Sequence, residues 1–149
     1  MSLHDFFSAD AIDLALQVPD QSAAISAMVS LLRMEPRAGE TLVRVLTRRE
    51  QLGSTGMGRG IAIPHCRSLS VSRLRMAYAR LTTPMPWEAI DGKPVRHIFL
   101  IVAPPLEVSN QYLPTLGRLA GFAKDPGNIE KLEAVQTAEE FLELFGTKK

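Results

Sequence analysis

The chain has 149 residues, of which 46% are hydrophobic and 22% charged, and it carries a formal net charge of +1 at pH 7. A chain of this size and composition is expected to fold as one domain around one core. Its basic residues are scattered rather than gathered into a stripe, which argues against a nucleic-acid partner.

The sequence shows no pattern typical of a targeting signal or a membrane span. The first fifteen residues contain Asp5, Asp10 and Asp13 but no basic region, and apolar runs such as 98–103 are too short to cross a bilayer. The single cysteine, Cys66, cannot form an internal disulfide, as is typical of a reducing compartment. We therefore expect a cytoplasmic protein without membrane insertion.

Helical and strand-like periodicities alternate along the chain, which predicts the α/β class. A first helix follows the predicted N-cap Asp20 and has a regularly spaced apolar face. A second helix is predicted from Glu40 to Leu52, and Gly53 ends it. The face of the first helix comprises Ile25, Met28, Val29 and Leu32.

Three strands are predicted at 60–64, 76–81 and 95–103. The turn at Asp91-Gly92 makes the last two strands antiparallel neighbours, whereas the first is expected to join through longer connections. We therefore expect a mixed parallel and antiparallel sheet flanked by helices. A single domain is predicted over 15–149, and residues 1–14 are interpreted as an N-terminal extension.

Three further helices are predicted after the sheet. The first has Pro114 in its first turn, where a proline is tolerated. A short helix is predicted at 128–135, and a last one is predicted between a capping box, Thr137 with Glu140, and Gly146. The apolar face of the first of these helices is predicted to be Leu113, Leu116, Leu119, Ala120 and Ala123.

The glycine-rich stretch at 53–66 is the most informative part of the sequence. Pro64 restricts its own backbone and that of Ile63, so the approach to His65 is stiff. The glycines at 53, 56, 58 and 60 permit positive φ angles, at which successive amides can form an anion-binding nest, and Ser54 and Thr55 add hydroxyl groups. The alternative interpretation is that the glycines serve a tight helix-to-strand connection.

Arg49 lies seven residues after Leu42, on the predicted inward face of the second helix. Two interpretations remain open at this stage. The guanidinium caps the last carbonyls of the helix, or it reaches an anion carried by His65.

The remaining histidines and the cysteine are given structural interpretations. Cys66 follows His65 in an extended segment, so the two side chains point to opposite faces, and Cys66 is expected to fill space in the core. His4 and His97 lack the spacing of a metal cluster with His65, and no metal site is predicted.

Arg49-Glu50 followed by the glycine stretch and Ile-Pro-His resembles the signature of the type-2 enzyme IIA domains of the bacterial phosphotransferase system. This is the fructose, mannitol and nitrogen-regulatory group, and the resemblance is greatest to the nitrogen-regulatory form. The segment from Trp87 to Val95 and the strand ending at Ala103 fit the same pattern, so the resemblance covers about 15–145.

The resemblance implies a phosphotransferase-type protein without a cofactor. It implies that His65 accepts a phosphoryl group, usually on Nε2, from the histidine-containing phosphocarrier protein, and that Arg49 is the arginine of the family motif. Where the family pattern has a second histidine, this chain has Tyr112, a neutral hydrogen-bond donor at a helix N-terminus. We therefore expect phosphoryl acceptance, with onward transfer slow or lost.

The predicted site consists of His65 and Arg49 as catalytic residues, with Ser54, Thr55, Gly58 and Tyr112 binding the phosphoryl group. The favoured function is a regulator whose phosphorylation determines which target protein it binds. A first alternative is a sugar-specific IIA component that passes the group to a IIB domain. A second is a degenerate binding module that is never phosphorylated.

Overall fold

A mixed β-sheet with helices on both faces forms the framework of the protein. The computed structural model describes residues 3–87, 91–105 and 111–145, and a short 3-10 helix at Leu3–Phe6 precedes the first strand. The strands are β1 (Phe7–Leu16), β2 (Gly56–Gly58), β3 (Ile61–Ala62), β4 (His65–Arg67), β5 (Arg75–Met85) and β6 (Val95–Ala103). The helices are α1 (Gln21–Leu31), α2 (Pro36–Leu52), α3 (Tyr112–Ala123), α4 (Pro126–Ala134) and α5 (Ala138–Phe145).

The strand order is β1-β5-β6-β3-β2, and β4 also pairs with β6. β5 and β6 are antiparallel, whereas β1 runs parallel to β5, and β3 and β4 run parallel to β6. The predicted α/β fold with a mixed sheet is therefore confirmed, as is the antiparallel pairing of β5 with β6.

The segment that ends at His65 is split into two short strands along the same edge of β6. Ile61 is opposite His97 in β3, and His65 is opposite Ile101 in β4. Pro64 lies between them without an N–H to donate, but its carbonyl accepts from Ile101 N at 3.0 Å. The prediction of one strand over 60–64 missed β4, which holds His65 in extended backbone.

β1 was not predicted from the sequence. Its pairing with β5 shifts register twice, between Phe7 and Ile12 and between Asp13 and Leu16, so side-chain alternation along the strand is broken. The boundary predicted at residue 15 falls within β1, and the structure places residues 7–14 in the sheet.

The sheet separates two apolar clusters, because alternate residues of β5 and β6 point to opposite faces. On one face, Ala77 and Leu100 belong to a cluster with α1 and α2. On the other, Tyr78 and Phe99 pack against α3, α4 and α5. The carboxyl-terminal end of α2 and the amino-terminal end of α3 meet beside β4 at the edge of the sheet.

The helix termini follow the capping signals. Asp20 caps α1, and its Oδ1 accepts from Ala23 N at 2.8 Å, as predicted. α2 begins at Pro36 rather than at Glu40, because proline suits the first turn of a helix. α4 likewise begins at Pro126, two residues before its predicted start.

Two predictions in the carboxyl-terminal helices need correction. Leu113 was assigned to the inward face of α3, but it is 65% exposed, and the buried face begins instead at Tyr112 and Thr115. Thr137 Oγ1 accepts from Glu140 N as predicted, but Glu140 Oε1 accepts from Gln136 N rather than completing the capping box. Gly146 and residues 88–90 of the Trp87 segment lie outside the described residues.

Candidate functional site

His65 is half-buried at the start of β4, and its ring is fixed by a hydrogen bond to the preceding backbone. Nδ1 lies 2.6 Å from the carbonyl oxygen of Ile63. Because a carbonyl oxygen can only accept, Nδ1 carries the hydrogen, and the neutral ring has its lone pair on Nε2. Nε2 has no hydrogen-bond partner within the part of the chain that the structure describes.

The surroundings of His65 keep this imidazole neutral. Burial lowers its pKa from the ordinary value of 6.5, the carbonyl of Ile63 acts in the opposite direction, and the positive charge of Arg49 lowers the pKa further. Glu50 raises it again, as the smallest of the four effects. Nε2 is therefore an unprotonated nucleophile at neutral pH.

Arg49 ends α2 with a hydrogen bond and also lines the cavity of His65. Its Nη1 donates to the carbonyl of Gly53 at 2.7 Å, just beyond the end of α2, which matches the capping interpretation. Arg49 also lines a cavity together with His65. The bond to Gly53 uses one of the five N–H donors of a guanidinium, so the side chain is oriented without exhausting its capacity.

The cavity beside His65 has a volume of about 460 Å³ and is both basic and apolar. Three arginines line it, Arg48, Arg49 and Arg67, and its described lining contains no carboxylate. Leu52 and Leu113 also line it, and they are 81% and 65% exposed. The other lining residues are Val45, His65, Cys66, Tyr112 and Leu116.

Tyr112 lies in this cavity, as the sequence predicted, and its ring centroid is 6.2 Å from that of His65. Burial raises the pKa of its hydroxyl to about 12, so the phenol stays neutral. The Arg67 guanidinium carbon lies 4.4 Å from the centre of the Tyr112 ring, a cation–π contact. Tyr112 therefore brings a positive charge to the site through its neighbour.

The sequence analysis did not assign Arg67 to the site, although its spacing from His65 could have indicated it. Residues two apart on a strand share a face, so Arg67 follows His65 onto the same side of β4. Arg48 was also missed. It is exposed on α2, next to Arg49, and no periodicity distinguishes it from the other surface arginines.

Thr55 has a structural role that the sequence did not predict. It is buried, and both its backbone N–H and its hydroxyl donate to the carboxylate of Glu50, at 2.8 and 2.6 Å. Trp87 Nε1 donates to the same carboxylate at 3.1 Å. Glu50 thus anchors the loop to the end of α2, and the donors of Thr55 are committed to it. The structure corrects the assignment of Thr55 to phosphoryl binding.

Ser54 and Gly58 are also not among the residues that line the cavity of His65. Ser54 Oγ accepts from Gly56 N at 3.0 Å, within the loop itself. Gly58 has a φ of +87°, and a Cβ there would lie 3.3 Å from the Asp91 carboxylate, so glycine is needed for shape.

The glycine stretch forms a β-hairpin rather than the predicted anion-binding nest. β2 and β3 are antiparallel, and the two residues between Gly58 and Ile61 have positive φ angles, +57° at Arg59 and +81° at Gly60. A two-residue hairpin turn requires such angles. Gly53 has an extended φ of 170°. The structure therefore supports the connection interpretation of these glycines.

Cys66 and His97 have the structural surroundings that the sequence predicted. Cys66 is buried in the cluster with α1 and α2, and burial raises the pKa of its thiol to about 12. His97 is 1% exposed, Tyr78 Oη lies 2.7 Å from its Nδ1, and Glu133 Oε2 lies 2.9 Å from its Nε2. The Cys66 thiol therefore stays protonated although it lines the cavity of His65, and His97 is not among the residues of that cavity.

These features define an α/β protein with one oriented, neutral histidine in a basic cavity at the edge of its sheet. None of the helices in the described ranges is long and apolar enough to cross a membrane. The family model for "Phosphoenolpyruvate-dependent sugar phosphotransferase system, EIIA 2" matches residues 5–148, and the chain belongs to this family.

Relatives named for nitrogen regulation are prominent among the similar proteins. A "Nitrogen regulatory protein" of Bradyrhizobium diazoefficiens is 32% identical over 140 residues, covering 93% of this chain and 91% of that protein. The crystal structure of nitrogen regulatory protein IIA-Ntr from Neisseria meningitidis has a TM-score of 0.87 and 31% identity, covering 95% of this chain and 97% of that one. The IIA mannitol structure from Escherichia coli has a TM-score of 0.73 at 22% identity, covering 92% and 96%, and shows likeness of fold.

Proposed function

We propose that this protein accepts a phosphoryl group on Nε2 of His65 from the histidine-containing phosphocarrier protein, and that phosphorylation determines which partner it binds. The observation that carries the proposal is the orientation of the imidazole. Its Nδ1 is committed to the carbonyl of Ile63, and its Nε2, in a cavity lined by arginines, has no hydrogen-bond partner among the residues that the structure describes. A neutral nitrogen nucleophile beside fixed positive charge meets the main requirements of phosphoryl transfer.

The transfer balances without a cofactor. The Nε2 lone pair attacks phosphorus in line, and the P–N bond to the donor histidine breaks with its electron pair returning to the donor ring. The His65 ring then carries a positive charge, which the Nδ1–H shares with the Ile63 carbonyl. Arg49 offers guanidinium N–H groups to the phosphoryl oxygens, and its bond to Gly53 holds it in position.

The docking surface for a phosphoryl donor is proposed to be the rim of the same cavity. Leu52 lies at the end of α2 and Leu113 at the start of α3, and both are largely exposed although they are apolar. Exposed apolar side chains beside a reactive group favour a protein partner, because its contact removes them from water. A partner that covers both leucines covers His65 as well.

The test is labelling by the phosphorylated carrier. The wild-type protein is expected to gain one phosphoryl group per chain, stable in base and labile in acid, as a phosphoramidate bond is. His65→Ala is expected to take no label. His4→Ala is the matched control, because it removes a partly exposed histidine of the amino-terminal 3-10 helix and should label at the wild-type rate. Label that persists in His65→Ala, or a wild type that takes none, would reject the proposal.

The regulatory role is supported by the relatives at 31–32% identity, which are named as nitrogen regulatory proteins.

A second candidate function, the sugar-specific carrier, is favoured by another relative. The "PTS system 2-O-alpha-mannosyl-D-glycerate-specific EIIABC component" of Escherichia coli is 28% identical over 99% of this chain and 23% of that protein. A chase of labelled protein with IIB domains separates the two roles, since a regulator retains its label and a sugar carrier releases it.

A further inference from the structure

Two contacts orient the guanidinium of Arg67, which lines the same cavity as His65. The guanidinium carbon lies 4.4 Å from the centre of the Tyr112 ring, and Nη1 donates to the carbonyl of Pro104 at 3.2 Å. The same Tyr112 ring is 6.2 Å from the His65 ring, centroid to centroid. The imidazole and the guanidinium therefore lie beside one aromatic ring, in one cavity.

We propose that Arg67, seated on the ring of Tyr112, is a phosphoryl-binding residue that supplies a second positive charge to the group on His65. The inference rests on the proposed function of His65 as phosphoryl acceptor. It assigns Tyr112 a positioning role, in which the ring of the tyrosine, rather than its hydroxyl, is the functional part.

The charge of the transferred group explains why one guanidinium is insufficient. A phosphoryl group in transfer spreads negative charge over three oxygens, and one planar guanidinium can pair with two of them. Arg49 approaches from the end of α2, whereas Arg67 lies on β4, on the side of the cavity where α3 begins. The two cations therefore belong to different elements that line the cavity of His65.

Preorganisation distinguishes Arg67 from the other exposed arginine of this cavity. A guanidinium that is already stacked and hydrogen-bonded loses little further freedom when it binds an anion. Arg48 has no hydrogen bond within the described residues that would orient it in this way. The planar guanidinium of Arg67 also fits the flat face of Tyr112 better than a lysine ammonium would.

The competing explanation is that Arg67 has a structural role, in which it covers Tyr112 and ties β4 to the chain at Pro104. Substitution alone would slow labelling under either explanation if it displaced Tyr112. The experiment therefore needs a small phosphoryl donor, which requires no protein docking, and a readout that responds to charge at the phosphoryl group itself.

The experiment measures His65 labelling by potassium phosphoramidate and by the phosphorylated carrier protein in wild type, Arg67→Met, Arg67→Lys, Tyr112→Phe and Tyr112→Leu. Arg67→Met is expected to label about 10-fold more slowly with both donors, as for one lost charge-assisted contact. Arg67→Lys should recover part of this rate, and Tyr112→Phe, which keeps the ring, should label faster than Tyr112→Leu, which removes the ring under Arg67. Arg73→Met, the loss of an exposed arginine outside the cavity, is the control for net charge.

A second measurement tests whether the slower labelling of Arg67→Met comes from the lost charge rather than from a displaced Tyr112. In phosphorylated protein, the 31P resonance of the phosphohistidine is titrated with pH, and loss of Arg67 should raise the pKa of the phosphoryl group, because a nearby cation favours its dianion. Guanidinium ions added to Arg67→Ala should restore part of the labelling rate.

Each remaining outcome gives a clear answer. The inference would be overturned if phosphoramidate labelled Arg67→Met at the wild-type rate, or if labelling were slower only with the protein donor. His65 would remain the acceptor in both cases. An unchanged phosphoryl pKa in Arg67→Met would overturn the inference as well. A wild type that takes no label from either donor would reject the proposed function, and the role of Arg67 with it.

Discussion

The two histidines of the sheet, His65 on β4 and His97 on β6, differ in what their ring nitrogens contact. At His97, Tyr78 Oη lies 2.7 Å from Nδ1 and Glu133 Oε2 lies 2.9 Å from Nε2, so both nitrogens face a polar group. At His65, Nδ1 is bonded to the carbonyl of Ile63, and Nε2 has no partner among the described residues. One ring is enclosed, whereas the other has a nitrogen available for chemistry.

This comparison shows that a lowered pKa does not by itself identify a functional histidine. Burial lowers the pKa of both rings, and it lowers that of His97 to about 4. The two histidines differ in what lies near Nε2. His65 lies in a cavity lined by arginines, whereas Nε2 of His97 lies 2.9 Å from the Glu133 carboxylate.

Substituting the two histidines in turn should separate chemistry from stability. His65→Gln is expected to lose all labelling by the phosphorylated carrier and to unfold within about 0.5 kcal/mol of wild type, because the ring is only half-buried. His97→Phe is expected to keep its label but to lose about 2 kcal/mol of unfolding free energy, because Tyr78 and Glu133 lose their buried partner. Urea unfolding and labelling of the folded protein measure the two effects. Loss of label in folded His97→Phe would contradict the distinction.

Loss of the arginine near His65 should slow labelling, whereas loss of the arginine near His97 should not. Arg49→Ala is expected to slow labelling of His65 about 100-fold or more, as for a lost donor to a developing oxyanion. Arg96 bonds to Glu133 at 2.6 Å beside His97, so Arg96→Ala serves as the matched control and should label at the wild-type rate. Initial labelling rates with phosphoramidate provide the measurement. Equal rates for Arg49→Ala and wild type would remove Arg49 from the mechanism.

Much of the fold could be predicted from local sequence patterns, and what was missed depends on distant contacts. β6 was predicted with its observed bounds, because its continuous apolar run is typical of a strand that is buried on both faces. β1 was missed because register shifts interrupt its alternation. β2 and β4 are three residues long, too short to show a period.

The candidate site shows the same limit at the level of single residues. His65 and Tyr112 were placed in one site from sequence, and the structure brings them together with Arg49. The hydroxyl of Thr55 was assigned to the site because Thr55 lies in the glycine-rich loop. Its hydrogen-bond partner is Glu50, and the geometry of that bond depends on how α2 ends. The glycines at 53–60 permit positive φ angles, but the hairpin of β2 and β3 determines which residues adopt them, and these are Gly58, Arg59 and Gly60.

The buried histidine should also dominate the loss of stability in acid. The pKa of His97 is about 4 in the folded protein and near 6.5 when unfolded, because burial outweighs the attraction of Glu133, while Arg96 and Arg80 lower the pKa further. Between these values the unfolded chain binds a proton that the folded one does not, so stability falls as the pH falls from 6.5 to about 4.

The expected loss is about 3 kcal/mol over that window. Urea unfolding as a function of pH measures it, and His97→Phe should show a much flatter dependence than wild type. Because His65 titrates in the same direction, His65→Gln is the reference that isolates the share of His97. A pH dependence that survives in His97→Phe would assign the acid sensitivity to other groups.

The open side of His65, where a protein partner would dock, is bordered by exposed Leu113. Leu113→Ala is expected to slow labelling by the phosphorylated carrier about 10-fold, because its side chain is apolar and 65% exposed at the rim of the cavity. Labelling by phosphoramidate should not change, since this donor needs no contact with the rim. Leu69→Ala is the matched control, because Leu69 is 90% exposed but does not line that cavity. If Leu69→Ala slowed the protein donor as much as Leu113→Ala does, the docking surface would extend beyond the rim. Equal rates for wild type and Leu113→Ala would show that the accessible nitrogen of His65 and its arginines are sufficient without an apolar contact.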